Sequence, residues 1–474
     1  MAQNKNTSEF IQESSNMTIG SRAEGVAMSE PKKDNFRMVF IVFISLLIDL
    51  LGFTMILPLL PSLLEYYGRD ANDVTYNTLQ QSVQGFREFV GAPDTPRWNS
   101  VLFGGLIGSL FSLLQFLSSP LVGAASDTYG RKSMLLLSLS GLCVSYILWA
   151  VSSNFTLFVI ARIIGGISKG NVSVSTAVIA DVTSKKNRGK GMATVGIAFS
   201  VAFIIGPILG AGFAKLVRSD QDLFFQAPAL LALTLALVDI FVIVAFFKET
   251  LPLEKRAPSL VTGLSDSMKF INPVSLFKFA AVNNIDTKDL SSLRRYGLVY
   301  FLYLFFYSGL EFTLTFLVHN RFQYDSMQQG KMFFYIGVIM VLVQGGYVRR
   351  LPPGNERKIA FQGMMLLIPS FIVIGCTTNT IVFYIGLLFF AFASATVVPC
   401  LTTLVSSFGD EKQKGTVLGI FRSLGALARA AGPVVASTVF WSFGAVPCYM
   451  MGSVFLLLPL VLLQKMKPTT MKEN

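Results

Sequence analysis

One histidine, four cysteines and a charged fraction of only 14% leave this 474-residue chain short of the usual equipment of a soluble enzyme. A single histidine, His319, cannot build a histidine-based zinc cluster. Cys143, Cys376, Cys400 and Cys448 lie in or beside apolar runs with no paired spacing, so neither a disulfide framework nor a metal site is expected. There is no nucleotide-binding Gly-Lys-Ser loop, which leaves ATP-driven work unsupported, and no nucleophile–base–acid set stands out. Neither an enzyme nor a cofactor is therefore expected. A soluble domain carries about a quarter charged residues. Here 52% of residues are hydrophobic, 42 of them Phe, more apolar surface than a soluble core can use. The natural solvent is lipid.

Net charge is +12, which in a soluble protein would raise the question of nucleic acid. The Lys and Arg residues instead sit in short loops between apolar runs, so their reading is topology, and nucleic acid is not an expected partner. Twelve apolar spans fall near 38–62, 101–121, 133–152, 155–182, 192–216, 223–247, 296–318, 331–349, 359–377, 379–406, 416–441 and 443–464. In lipid only helices satisfy an isolated span's backbone. Lys32, Lys33 and Arg37 precede the first span. Arg131 and Lys132 follow the second, and Lys185, Lys186, Arg188 and Lys190 the fourth. Arg349, Arg350, Arg357 and Lys358 follow the eighth, and Lys412 and Lys414 the tenth. All fall on one side, expected to be cytosolic together with both termini. No cleavable signal peptide is read: residues 1–37 are polar and form an expected disordered tail, and the first span is long enough to remain in a membrane.

The expected architecture is an all-α membrane protein of two six-helix bundles related by a pseudo-two-fold, 38–250 and 294–466, with a cytosolic loop at 251–293 and a tail at 467–474. The two halves echo each other. Arg188-Gly189 leads to Gly206-Pro207, and Lys414-Gly415 leads to Gly432-Pro433 at the same spacing. Repeats in matching positions are the pattern of a transporter whose site lies between them. Two long segments remain. Residues 65–100 read as a solvated cap over the outer mouth. Residues 265–281 read as a surface helix, with Met268, Phe270, Phe277 and Phe279 toward the membrane face and Pro273 interrupting or restarting it.

An ionisable side chain at mid-membrane costs roughly 2.5–3.5 kcal/mol on insertion scales, so each is a functional candidate. Asp49, Arg162, Lys169, Asp181, Asp239, Glu311, Arg422 and Arg429 qualify. Arg162, Lys169, Ser173 and Thr176 recur at helical spacing and are expected on one face lining a cavity. Arg422 and Arg429, seven residues apart, suit planar capture of a carboxylate, sulfate or phosphate. The competing reading pairs these cations with Asp49 or Glu311 as fixed bridges. Tyr307 and Thr315 share Glu311's face, and Asp49 or Glu311 is the expected proton-coupling carboxylate. In Gly123-Ala-Ala-Ser-Asp127-Thr-Tyr-Gly130-Arg131-Lys132, Gly123 allows close helix approach and Gly130 a tight turn, while Asp127, Arg131 and Asp181 make a gating latch. Asp239 has no role in this reading.

That loop resembles the signature between the second and third helices of major facilitator transporters. Leu51-Gly52 with Pro58 and Pro61, and Gly206-Pro207 with Gly210, resemble the drug:proton antiporter type, with Ala202 where a glycine is expected. Long runs, such as 165–173, 249–259 and 422–433, are similar to the animal tetracycline-transporter-like group over nearly the whole chain. The resemblance implies carriage of a small organic anion, amphipathic drugs included, by a monomer in the membrane, with spans 1, 4, 7 and 10 lining the cavity. Protons are a candidate coupling ion, and Gly206 and Pro207 have a gating part. The alternatives are a proton-driven exporter of cationic or zwitterionic drugs and a non-transporting receptor or trafficking partner. The small cationic surplus of the mid-membrane set, four cations against three acids once Asp181 is assigned to the gate, favours an anion.

Overall fold

The computed structural model describes residues 35–68, 73–90, 96–184, 188–216, 221–256, 270–282, 286–350, 352, 354–406, 408 and 414–466. Both tails, Lys185, Lys186, Lys412 and the 257–269 part of the central segment lie outside the described residues. Among the described residues, twelve helices are long and apolar enough to cross a membrane. They are Phe36–Tyr67 (α1), Ser100–Tyr129 (α2), Arg131–Ala150 (α3), Phe155–Val182 (α4), Thr194–Lys215 (α5) and Gln226–Phe246 (α6) in the first half. Thr287–Phe322 (α7), Ser326–Tyr347 (α8), Glu356–Cys376 (α9), Thr380–Ser406 (α10), Thr416–Phe443 (α11) and Ala445–Lys465 (α12) form the second. The expected all-helical, twelve-span fold is what the chain adopts. α7 starts at Thr287, inside the stretch read as loop, after Asp286.

The repeated Gly-Pro pair shows how the halves are built alike. Gly206 of α5 lies against Thr54 and the Leu51 carbonyl of α1, and Gly432 of α11 against Ser308 and the Phe305 carbonyl of α7. In both places a side chain would hold the helices apart. The following proline's carbonyl faces the opposite half: Pro207 toward Gly330 of α8, Pro433 toward Gly105 of α2. Thus each half packs its fifth helix on its own first helix and on the other half's second.

These cross-half contacts lie at the end away from the basic loops. Ser109 Oγ of α2 accepts from Val434 N of α11 at 2.9 Å. His319 Nε2 of α7 meets Glu65 Oε1 of α1 at 2.9 Å. Along α5 and α8 the contact thins toward the basic end. Ile204 packs at Gly337, Ser200 bonds Gln344 at 3.2 Å, and beyond them Gly196, Gly345 and Gly346 face open space. The halves part there. α8 also loosens at this end, winding through a π turn at Val343–Tyr347 and a 3₁₀ turn at Val348–Arg350.

Two further helices attach at the periphery. Residues Val74–Val90 form an outer helix fastened to the first half. Asp73 accepts from Tyr76 N at 2.8 Å, from Thr156 N at 2.9 Å and from Thr156 Oγ1 at 3.0 Å. The expected cap is therefore tied to the start of α4. Burial alone would push the Asp73 carboxyl up, but the hydrogen bonds from Tyr76 and Thr156 outweigh it and hold the group below the ordinary Asp range. In the central segment, Asn272 caps and Pro273 opens a short helix, Pro273–Lys278. Its apolar side does not face the membrane as expected. Leu276 and Phe279 are buried, Phe277 packs edge-on to Phe301 of α7, and Phe270 lies at Gly419 of α11.

Candidate functional site

Two polar clusters face each other across the molecule, one in each half, and they are built differently. In the first half, α4 is not continuous. Its first piece, Phe155–Ser168, ends at Lys169, and the second, Asn171–Val182, begins two residues later. Gly170 makes the break tolerable, because a Cβ there would strike the Val122 side chain of α2. The break delivers Lys169 and Asn171 to Asp49 of α1. Lys169 Nζ lies 2.7 Å from both Asp49 oxygens, and Asn171 Nδ2 donates to Oδ2 at 2.7 Å. Both ionic side chains are only 2% exposed. Phe53 lies 5.0 Å beneath the ammonium, stacked on Phe111. A buried charge pair is stable only with such geometry and with its remaining valences satisfied.

The expected shared face of Arg162, Lys169, Ser173 and Thr176 is interrupted by this break. Arg162 is buried under Trp149 and Phe158, 5.2 and 5.6 Å from the ring centres, with Nε and Nη2 lacking hydrogen-bond partners. Ser173 lies beside Gly123, and Thr176 bonds back to the Ser173 carbonyl.

In the second half, Tyr307 of α7 donates to Glu311 Oε1 at 3.1 Å and shares a hydrogen bond with Ser394 of α10. Tyr303 stacks on Tyr307, and Tyr307 on Phe390. Arg422 and Arg429 are exposed. They lie on α11 on the basic side of Val434 and Ser437, which meet α2. Both are in electrostatic reach of Tyr300, and Arg429 of Glu311 as well, yet neither forms an ion pair among the described residues. The two halves thus differ: Lys169 is neutralised by Asp49, whereas Arg422 and Arg429 stand open to whatever fills the gap.

At the basic end Arg131, Asp127 and Asp181 come together. Arg131 reaches Asp127 at 2.7 Å and Asp181 at 2.9 Å, and donates to Ser126 Oγ. Gly130 takes φ +96°, which only glycine adopts without strain. Glu249, just after α6, was not singled out by the sequence reading. Its oxygens accept from Arg131 N at 3.0 Å and Lys132 N at 3.1 Å, capping α3 with a full charge. Burial would raise the Glu249 carboxyl, but these bonds and those from Leu251 and Thr250 hold it low. A carboxylate after an apolar run, close to a loop-borne helix start, is the signal that would have found it. Asn171, Ser394 and Tyr303 were likewise missed, because neutral polar residues in apolar helices carry no periodicity of their own.

A family model described as Major Facilitator Superfamily matches residues 42–433. The human protein "Major facilitator superfamily domain-containing protein 10" is 51% identical over 434 residues, covering 91% of this chain and 93% of the relative. The class D tetracycline resistance protein of Salmonella ordonez is 26% identical, covering 84% of this chain and 89% of its own. Among solved structures, that of the human organic anion transporter MFSD10 (TETRAN) superposes with a TM-score of 0.76 at 50% identity, over 90% of this chain and 99% of the other. A D-xylose–proton symporter, at 15% identity and a TM-score of 0.64, shares the fold over 93% of this chain and 99% of its own.

Proposed function

This chain belongs to the major facilitator superfamily, and we propose that it is a secondary active carrier of organic anions, amphipathic drugs among them, working by alternating access. The observation that carries this reading is that Arg422 and Arg429 of α11 are exposed and form no ion pair among the described residues. Arg guanidinium groups bind carboxylate, sulfate and phosphate through paired donors. Resemblance to a solved organic anion transporter at 50% identity supports the same substrate class. Asp49 and Glu311 remain the candidate proton-coupling groups, and the basic loops and both tails are assigned to the cytosol.

Arg429→Ala should lower fluorescein uptake by proteoliposomes about 10- to 100-fold, the worth of one charge-assisted hydrogen bond of about 1.5–3 kcal/mol. Arg422→Ala should act in the same direction. Normal uptake in both, with the protein correctly inserted, overturns the assignment. Glu311 with its tyrosines favours one competing reading, a carrier of cationic drugs. A lipophilic cation that outcompetes fluorescein at two pH values would select it.

A further inference from the structure

Asp239 of α6 is fully buried, with 0% exposure, and neither carboxyl oxygen has a hydrogen-bond partner in the structure. It lies within electrostatic reach of the Asp49–Lys169 pair. From α1, Ser45 and Asp49 face it; from α4, Lys169; from α3, Cys143 and Tyr146. From α5 the only charged residue of the span is Lys215, at its terminus. Arg162, also buried in this half, lies under Trp149 and Phe158 and within electrostatic reach of Tyr146 and Tyr67. Among the described residues Lys169, paired with Asp49, is the one cation that acts on Asp239. Two negative charges against one positive, all out of water, is not a stable arrangement. One proton on the two acids makes the cluster neutral.

We propose that Asp49 and Asp239 share a single proton over Lys169, the ammonium pairing with whichever carboxylate has lost it. With Lys169 at Asp49, Asp49 is the ionised partner and Asp239 holds the proton. In the alternative, the proton passes from Asp239 to Asp49 and Lys169 turns to Asp239, so that one proton and one ammonium serve the two acids in both states. Asn171 is suited to both states. Its Nδ2 donates to ionised Asp49, and its Oδ1, buried and unpartnered, accepts from a protonated Asp49 after a flip of the amide. This inference rests on the proton-coupling part of the proposed function and adds a third member to it.

The test uses full-length protein and reads the proton directly. Infrared difference spectra of wild type against Asp239→Asn at neutral pH should show loss of a protonated carboxyl band, one that Glu311→Gln keeps. Persistence of that band in Asp239→Asn overturns the proposal, whether or not the protein carries anions. Stability gives a second reading. Asp49→Asn and Asp239→Asn should each be mild, since Lys169 retains one acid, while the double variant should lose far more than the sum. An Asp49→Asn variant as unstable as the double shows that Lys169 has no second partner and overturns the sharing. In proteoliposomes, Asp239→Asn should still exchange fluorescein across the membrane but no longer accumulate it down a proton gradient. Unchanged gradient-driven accumulation also overturns the sharing, and absence of any fluorescein exchange in wild type removes the substrate reading alone.

Discussion

At the scale of single residues, what matters is whether a buried charge has company. Lys169 and Asp49 have each other and Asn171, and removing Lys169 leaves Asp49 without a cation in a low dielectric. Lys169→Ala should cost about 3–5 kcal/mol of stability, seen as a lower thermal midpoint in detergent. Lys169→Ala with Asp49→Asn should recover part of that loss, because no lone charge remains. A double variant as unstable as Lys169→Ala alone would show that the pair contributes through packing and not charge. These two residues were legible in the sequence because an ionisable group in an apolar run stands out. Their pairing was not: it was one of two readings held open. Arg162 was legible in the same way but faces Trp149 and Phe158, since helical spacing cannot say which neighbour a face meets.

At the scale of elements, span positions were readable from apolar length, while the interruption of α4 was not. Lys169-Gly170 sits inside a run that is apolar enough to pass for one helix. The break depends on Val122 arriving from a different element. The central helix was misplaced for a related reason: aromatic residues alternating with lysines suit a membrane face as well as the ends of α7 and α11. The outer helix, Val74–Val90, offers a test of the Asp73 clasp, which works beside the packing of Tyr76 on Phe103 and Phe155. Because Asp73 is held below its ordinary value, its clasp is fully present above the unfolded Asp value, about 4. It is lost as pH falls through the lower folded value. A spin label at Thr78, which is exposed, should stay immobile from neutral pH to about 5 and gain mobility only below about 4. In Asp73→Asn the label should be mobile throughout. Mobility that rises already near neutrality would place the anchor elsewhere.

At the scale of the whole molecule, the halves touch at one end and part at the other, and glycines mark both. A side chain at Gly105 would meet Ser437 and come within 3.0 Å of the Pro433 carbonyl, whereas one at Gly196 meets nothing within 4 Å. Gly105→Leu should therefore disfavour the present arrangement, and Gly196→Leu should lock it by blocking closure of the basic end. Hydrogen exchange of segments 103–109 and 431–437 should rise in the first variant and fall in the second. Equal behaviour of the two would mean that these surfaces do not separate during the cycle.

The unequal charge of the two halves has an electrical corollary. The first half pairs Lys169 with Asp49, but the second presents two guanidinium groups that form no ion pair among the described residues. Filled by an anion, such a carrier moves less positive charge as it reorients. Empty, it carries its cationic lining through part of the membrane field, where each full elementary charge is worth about 2.3 kcal/mol per 100 mV. On the proposed reading the return of the vacant protein, rather than the delivery of its cargo, is the step that the membrane voltage would speed or slow.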